Sequence, residues 1–184
     1  MKKRKNNRDE FTGIIYQLQQ FHGHYQWEQH SDYPDMKNKR SQVTVAYNDG
    51  YVIAAGGCSD YGVVSKVEVW SVSDKEWSEV VSLPQPVFRA SQCVCNGQLY
   101  ILGGHVRDLS NGCLIPTKAA YVASIKELID SLAQDEEVFK PIAPLRLKES
   151  ACVAFCNYVV AIGGWKFDAT QSTGTKLVYV YDKD

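Results

Sequence analysis

Imidazole groups cluster near the start of this sequence. His22, His24 and His30 lie within nine residues of one another, and three imidazoles are the donor set of one class of catalytic zinc centre. No neighbouring cysteine or carboxylate completes a recognised ligand spacing. We therefore interpret these histidines as residues of a surface hairpin, and we predict neither a metal site nor a cofactor.

Four of the six cysteines fall in two pairs on predicted strands. Cys93 and Cys95, and likewise Cys152 and Cys156, have even spacings that place both thiols on one face of a strand. Free cysteine is among the most buried residue types, which favours a core role over metal binding. The basic N-terminal segment lacks the apolar stretch of a secretory signal, so we expect a cytoplasmic protein with reduced thiols.

Catalytic sequence motifs of the serine hydrolase, nucleotide-binding and zinc protease types do not occur. We therefore expect no enzymatic activity and assign no catalytic residue. A hydrophobic content of 45% with 11% aromatics indicates a folded chain. The net charge of −1 gives no electrostatic reason to expect nucleic acid or a membrane surface as partner. No run approaches the roughly 18 apolar residues of a membrane span.

Three Gly-Gly pairs organise the rest of the sequence. Each pair ends two apolar runs that a tight turn separates, and the pairs are 47 and 60 residues apart. In the first repeat, two further apolar runs follow the glycines, so that four short strands occupy about forty residues, which suits one blade of a β-propeller. The pairs are Gly56-Gly57, Gly103-Gly104 and Gly163-Gly164.

This repeat predicts how the chain is divided. A disordered basic tail occupies residues 1–10, and residues 12–33 supply the last two strands of an incomplete blade. Complete blades follow at 40–83 and 89–145, and a truncated blade occupies 148–182. Apolar residues at helical spacing predict an amphipathic helix inserted at 125–133 of the second blade.

Aromatic residues recur after the glycine pairs at comparable positions, and these residues are Trp70, Trp77, Tyr121, Phe139 and Tyr181. Two apolar strands ending in Gly-Gly, a polar loop, an aromatic residue and a tryptophan seven residues later resemble the kelch motif. The resemblance implies an all-β chain folded as an incomplete kelch-type β-propeller, with about three blades of four-stranded antiparallel sheet. We count two, four, four and three strands, fewer than the roughly 16 of the smallest closed ring. We expect a fragment of a larger propeller, or self-association through open blade edges.

The resemblance also implies where a partner would bind. In kelch substrate adaptors, arginine and serine at the start of the innermost strand contact acidic or polar peptide motifs. The matching residues are Arg40, Ser41, Arg89, Ser91 and Ser150, whereas Glu149 departs from the pattern. Guanidinium groups bind carboxylates bidentately, although these arginines could equally pair with acids of their own chain. Long loops at 58–66, 105–118 and 165–176 should share this end of the blades.

Three functions are compatible with such a scaffold. The leading one is a non-catalytic protein–protein interaction module, a substrate adaptor or scaffold that recognises a peptide motif or a folded surface. The second is a cytoskeletal scaffold of the actin-binding kelch kind. The third, a metal-dependent propeller enzyme, would require the histidine cluster. Fold alone does not decide among them.

Overall fold

The computed structural model describes residues 16–21, 23–29, 34–131, 137–168 and 171–181. The expected tail at 1–10 lies outside these residues, as do parts of the segment 12–33. Within that segment, Tyr16–Phe21 (β1) and His24–Gln29 (β2) form an antiparallel hairpin in which Tyr16 lies opposite Gln29.

The first complete sheet forms around the turn at Asp49-Gly50, where both residues adopt positive φ, the geometry that favours Asp-Gly in two-residue hairpins. Its four strands pair in the antiparallel order β3-β4-β7-β8, and the Cα atoms of Trp70 and Trp77 are register partners on the outer two. The polar loop after Gly57 contains a small hairpin, β5–β6. The strands are Thr44–Asn48 (β3), Tyr51–Ala55 (β4), Cys58–Ser59 (β5), Gly62–Val63 (β6), Val67–Ser71 (β7) and Glu76–Glu79 (β8).

The second sheet repeats this arrangement in the order β9-β10-β13-β14. Its loop folds into the hairpin β11–β12. The inserted helix α1 ends at Asp130, short of the predicted boundary, because Ser131 leaves helical geometry and its hydroxyl donates to the Leu128 carbonyl. The elements are Ser91–Cys95 (β9), Gln98–Leu102 (β10), His105–Arg107 (β11), Leu114–Pro116 (β12), Ala120–Ser124 (β13), Ile125–Asp130 (α1) and Lys140–Pro141 (β14).

The third sheet has three described strands in the order β16-β17-β20. A separate three-stranded sheet, β15-β18-β19, joins the connection that enters this blade to the hairpin after Gly164. The chain is thus an all-β, incomplete kelch-type β-propeller, as predicted. The strands are Leu147–Lys148 (β15), Ala151–Phe155 (β16), Tyr158–Ile162 (β17), Trp165–Phe167 (β18), Ser172–Gly174 (β19) and Val178–Tyr181 (β20).

The core lies between successive sheets. We call the face of a sheet that points toward the preceding sheet its front face, and the opposite face its back face. The back of the first sheet, with Ile53 and Val69, packs on the front of the second, with Leu99 and Ile101. The back of the second sheet packs in the same way on the front of the third, where Tyr100 meets Tyr181 at a ring-centroid distance of 6.1 Å.

Glycine is required where neighbouring blades touch. At Gly56 and Gly103, φ is +63° and +62°, and an added Cβ would lie 2.3 Å from the carbonyl oxygen of Val87 and 2.2 Å from that of Leu147. Val87 and Leu147 belong to the connections that enter the following blades. The first glycine of a pair therefore admits backbone from the next blade to a distance that no side chain would permit.

We predict that Gly103→Ala destabilises the fold more than Gly97→Ala. Both glycines have positive φ, +62° and +70°, so each substitution carries the left-handed penalty of about 1–2 kcal/mol. No atom lies within 4 Å of a Cβ at Gly97, whereas Gly103→Ala also clashes with backbone, which adds about 1–3 kcal/mol. Urea unfolding followed by tryptophan fluorescence measures the difference, and equal losses for the two variants would refute the role assigned to Gly103.

Candidate partner-binding face

The connections between blades and the hairpins after the glycine pairs lie at the same end of the sheets. Ser41 bridges to Cys58, Phe88 bridges to His105, and β15 pairs with β18. In each blade, therefore, the entering connection is hydrogen-bonded to the first strand of the blade's own hairpin. We call this end, formed by β5–β6, β11–β12, β18–β19 and the three connections, the hairpin face.

Three equivalent residues form a hydrogen-bonded series at the hairpin face. Gln42, Arg89 and Glu149 each precede the first glycine of their blade by 14 residues, and each adopts positive φ, between 52° and 55°. The Arg89 side chain donates from Nε to Gln42 Oε1 at 3.1 Å and from one terminal nitrogen to Glu149 Oε1 at 3.3 Å. Its guanidinium also lies 5.6 Å from the centroid of the Phe88 ring. We call these residues the polar trio.

The expectation that Arg40 faces a partner is wrong. Arg40 is only 3% exposed, and its guanidinium lies 3.3 Å from Glu68 Oε2 in an ion pair whose two side chains have no solvent-accessible surface. It also donates to the carbonyl groups of Asn38 and Ala54, and Asn38 donates to Glu68 Oε1. Arg40 is equivalent to Val87 and Leu147 rather than to Arg89, so the sequence comparison was displaced by two residues.

The predicted serines divide in the same way. Ser91 is buried, and its hydroxyl lies 2.8 Å from the Ser150 hydroxyl and 2.5 Å from the Ser150 carbonyl oxygen, so it links two blades. Ser41 and Ser150 are half-buried. Arg89, with about half of its side chain exposed, is the residue of this set that projects into solvent. Sequence reasoning missed Gln42, which a count of 14 residues back from Gly56 would have found.

Large apolar side chains project from the hairpins. Tyr61 and Leu109, at the tips of the first and second hairpins, are fully exposed, and Trp165 is half-exposed in the third. A cleft between the first two hairpins is lined by Tyr61, Leu109 and Arg107 together with Val63 and Pro86. Aromatic and arginine side chains beside such a cleft have the chemistry of protein contact sites.

His105 supports the hairpin face from below. Its ring lies 5.4 Å from that of Phe88 and is almost fully buried. Burial, reinforced by the positive charge of Lys148, lowers the pKa of this imidazole. His105 is therefore neutral at physiological pH and packs as a core residue, which leaves Arg89 as the cationic group of the polar trio.

The groups considered for metal chemistry do not assemble in the described structure. His22 and His30 lie outside the described residues, and His24 is exposed on β2. Within the described ranges, no three histidine, cysteine or acidic side chains could hold a metal ion together. The Sγ atoms of Cys93 and Cys152 lie 3.1 Å apart between the second and third sheets. That contact and burial raise the pKa of the Cys152 thiol. Among the described residues, no helix has the length and apolar character of a membrane span.

We predict that Arg40→Ala destabilises the fold by about 3–5 kcal/mol, because the substitution leaves the Glu68 carboxylate buried without its cation. Lys66→Ala provides the matched control, since Lys66 pairs with Glu79 at the surface and such pairs contribute less than about 1 kcal/mol. Chemical denaturation of both variants tests this. If Arg40→Ala were as stable as Lys66→Ala, the buried pair would not have the structural role that its geometry indicates.

Comparisons with known proteins agree with this architecture. The family model of the Kelch motif matches residues 39–84. Human Kelch-like protein 40 is 33% identical over 84 residues, which are 45% of this chain and 14% of that protein. Kelch repeat and BTB domain-containing protein 1 of camelpox virus (strain CMS) is 21% identical over 153 residues, 82% of this chain and 25% of its own length. This chain thus spans only a small part of these relatives.

Structural similarity supports the same fold. The solved structure of YjhT superposes on 86% of this chain with a TM-score of 0.58 at 11% sequence identity, and the match covers 49% of that structure. At this identity the likeness concerns the fold alone. The recurring glycine pairs and aromatics, the matched motif and the stacked antiparallel sheets lead to one conclusion: the chain belongs to the kelch-repeat family.

Proposed function

We propose that this chain is a non-catalytic protein-interaction module that binds a protein partner through its hairpin face, as a substrate adaptor or scaffold does. The observation that carries the proposal is the exposure of Tyr61 and Leu109 beside one cleft that also contains Arg107. A folded monomer gains nothing by leaving large apolar groups fully in solvent, whereas clustered exposed groups of this kind mark interaction sites. The names of the kelch-like relatives are consistent with this role.

The polar trio supplies the second half of the proposed site. Arg89 is held on both sides, by Gln42 and by Glu149, so its guanidinium is oriented before a partner arrives. A held side chain loses little conformational entropy on binding. Because Glu149 already supplies one carboxylate, the trio suits a mixed polar partner surface better than a purely acidic one. We therefore propose apolar anchoring in the cleft and polar orientation at Arg89.

We predict that Tyr61→Ala and Arg89→Ala each weaken partner binding by about tenfold or more while the fold is retained. Truncation of an interface hot spot costs about 2 kcal/mol or more, and both side chains are exposed enough that stability should not change. Lys126→Ala is the matched control, because Lys126 lies on α1 beside the β9–β10 turn, at the opposite end of the sheets.

The measurement is quantitative affinity purification with each variant, followed by titration of the partner obtained. Partners retained equally by all three variants would contradict the proposed site. Co-sedimentation with actin filaments separates the cytoskeletal alternative from the adaptor reading.

A further inference from the structure

The back face of the third sheet is apolar and uncovered. Register places Val153, Val160 and Val180 side by side across β16, β17 and β20, and Ile162 lies opposite Val178 in the next row. Phe155 is 67% exposed and Val180 is 59% exposed. Three strands therefore present a continuous row of valine, isoleucine and phenylalanine side chains to solvent, a larger apolar patch than a monomer usually leaves open.

The same face is covered in the other two sheets. On the back of the second sheet, the residues equivalent to Val153 and Phe155 are Cys93 and Cys95, which are 9% and 4% exposed. They are buried because the front face of the following sheet packs on them, mainly through contact of β9 with β16. Whatever covers the third sheet must therefore present a front face of this repeat.

One front face is also uncovered, at the other end of the array. On the first sheet, Val45 is 57% exposed and Tyr47 is 65% exposed. The residues equivalent to Tyr47 in the second and third sheets, Val94 and Ala154, pack against the preceding sheet. The outer half of this front face is covered by residues 34–38, where the Pro34 carbonyl accepts a hydrogen bond from the Trp77 indole. The open part is the innermost strand, β3.

The glycine pairs show the same vacancy in the backbone. Gly56 and Gly103 each receive a carbonyl oxygen of the following blade, whereas a Cβ at Gly163 would meet nothing closer than the Thr175 carbonyl of its own blade, at 3.9 Å. Gly163 nevertheless keeps φ at +66°. By the repeat spacing, the group that belongs there is the carbonyl of a residue equivalent to Leu147 and Val87, and in this chain the remaining equivalent is Arg40.

We infer that two copies of this chain associate head to tail, with the front face of the first sheet of each copy packed on the back face of the third sheet of the other. This contact repeats, between chains, the sheet-to-sheet packing already present twice within the chain. A reciprocal pair of such contacts has twofold symmetry and closes, leaving no open face. The chain covers 49% of the YjhT structure, so two arcs of this size account for one ring of that fold. This surface is separate from the hairpin face, and the inference does not rest on the proposed function.

The first test is the mass of the 184-residue chain in solution. Sedimentation velocity and light scattering at tens of micromolar should give twice the 20.7 kDa of one chain. Val180→Asp should convert the dimer to a folded monomer, because it places a carboxylate in an apolar contact. Leu109→Asp, which adds the same charge at an exposed leucine on the hairpin face, should leave the dimer intact.

The second test fixes which faces meet. Between the second and third sheets, the Sγ atoms of Cys93 and Cys152 are 3.1 Å apart. The equivalent positions across the inferred contact are Val153 of one copy and Val45 of the other. In chains in which the exposed Cys113 and Cys156 are replaced by serine, a mixture of Val45→Cys and Val153→Cys proteins should give a disulfide-linked dimer with oxidised glutathione. In this exchange, the two thiols are oxidised and glutathione is reduced. Neither variant alone should crosslink.

Three results would overturn the inference. The first is a wild-type chain that is monomeric at 100 µM, in which case the open faces need a different occupant, such as a further blade of a longer chain. The second is a dimer that persists in Val180→Asp, and the third is crosslinking of Val153→Cys with itself, which indicates a back-to-back contact. A dimer lost in Gly163→Ala but not in Gly97→Ala would support the head-to-tail geometry, because only Gly163 should receive backbone from the other copy.

Discussion

The close approach of backbone to backbone at the glycine pairs is the constraint on which this structure depends. In each blade the second strand ends in two residues with positive φ, and the first of them admits the carbonyl oxygen of the next connection where a next blade is present. At Gly57 this becomes a hydrogen bond, since its amide donates to the Val87 carbonyl at 2.8 Å. The contact fixes the distance between sheets, and the apolar side chains of their facing strands then fill the space between them.

Charge within the array is used in two ways that differ in burial. The Arg40–Glu68 pair is fully enclosed and hydrogen-bonded to Asn38 and the Ala54 carbonyl, so it ties the connection that enters the first blade to β7. The Arg89–Glu149 pair is half-exposed at the hairpin face. The same residue type is therefore a core component in one blade and a surface group in the next, because the two arginines occupy positions two residues apart in the repeat.

Much of the fold could be predicted from the sequence, because glycine pairs, tight turns and apolar runs are local signals that recur. The strands Ser91–Cys95 and Tyr158–Ile162 have the predicted bounds. The small hairpins such as Cys58–Val63 were missed, because strands of two or three residues carry no periodicity. Arg40 was misassigned because its environment depends on Glu68, 28 residues away, and no local pattern reports that contact. The position of the polar trio required exact counting from the glycines, which the motif alone did not prompt.

The placement of α1 has a consequence for how such a chain can change. The helix follows β13 and packs beside the β9–β10 turn, with the Ile125 amide bonded to the Gly97 carbonyl. It thus lengthens the second repeat, whose glycine pair is 60 rather than 47 residues from the next, at the end of the sheets remote from the hairpins. Extra sequence is accommodated there without altering sheet spacing or the opposite rim. Recognition and architecture can consequently diversify independently, each at its own pole of the array.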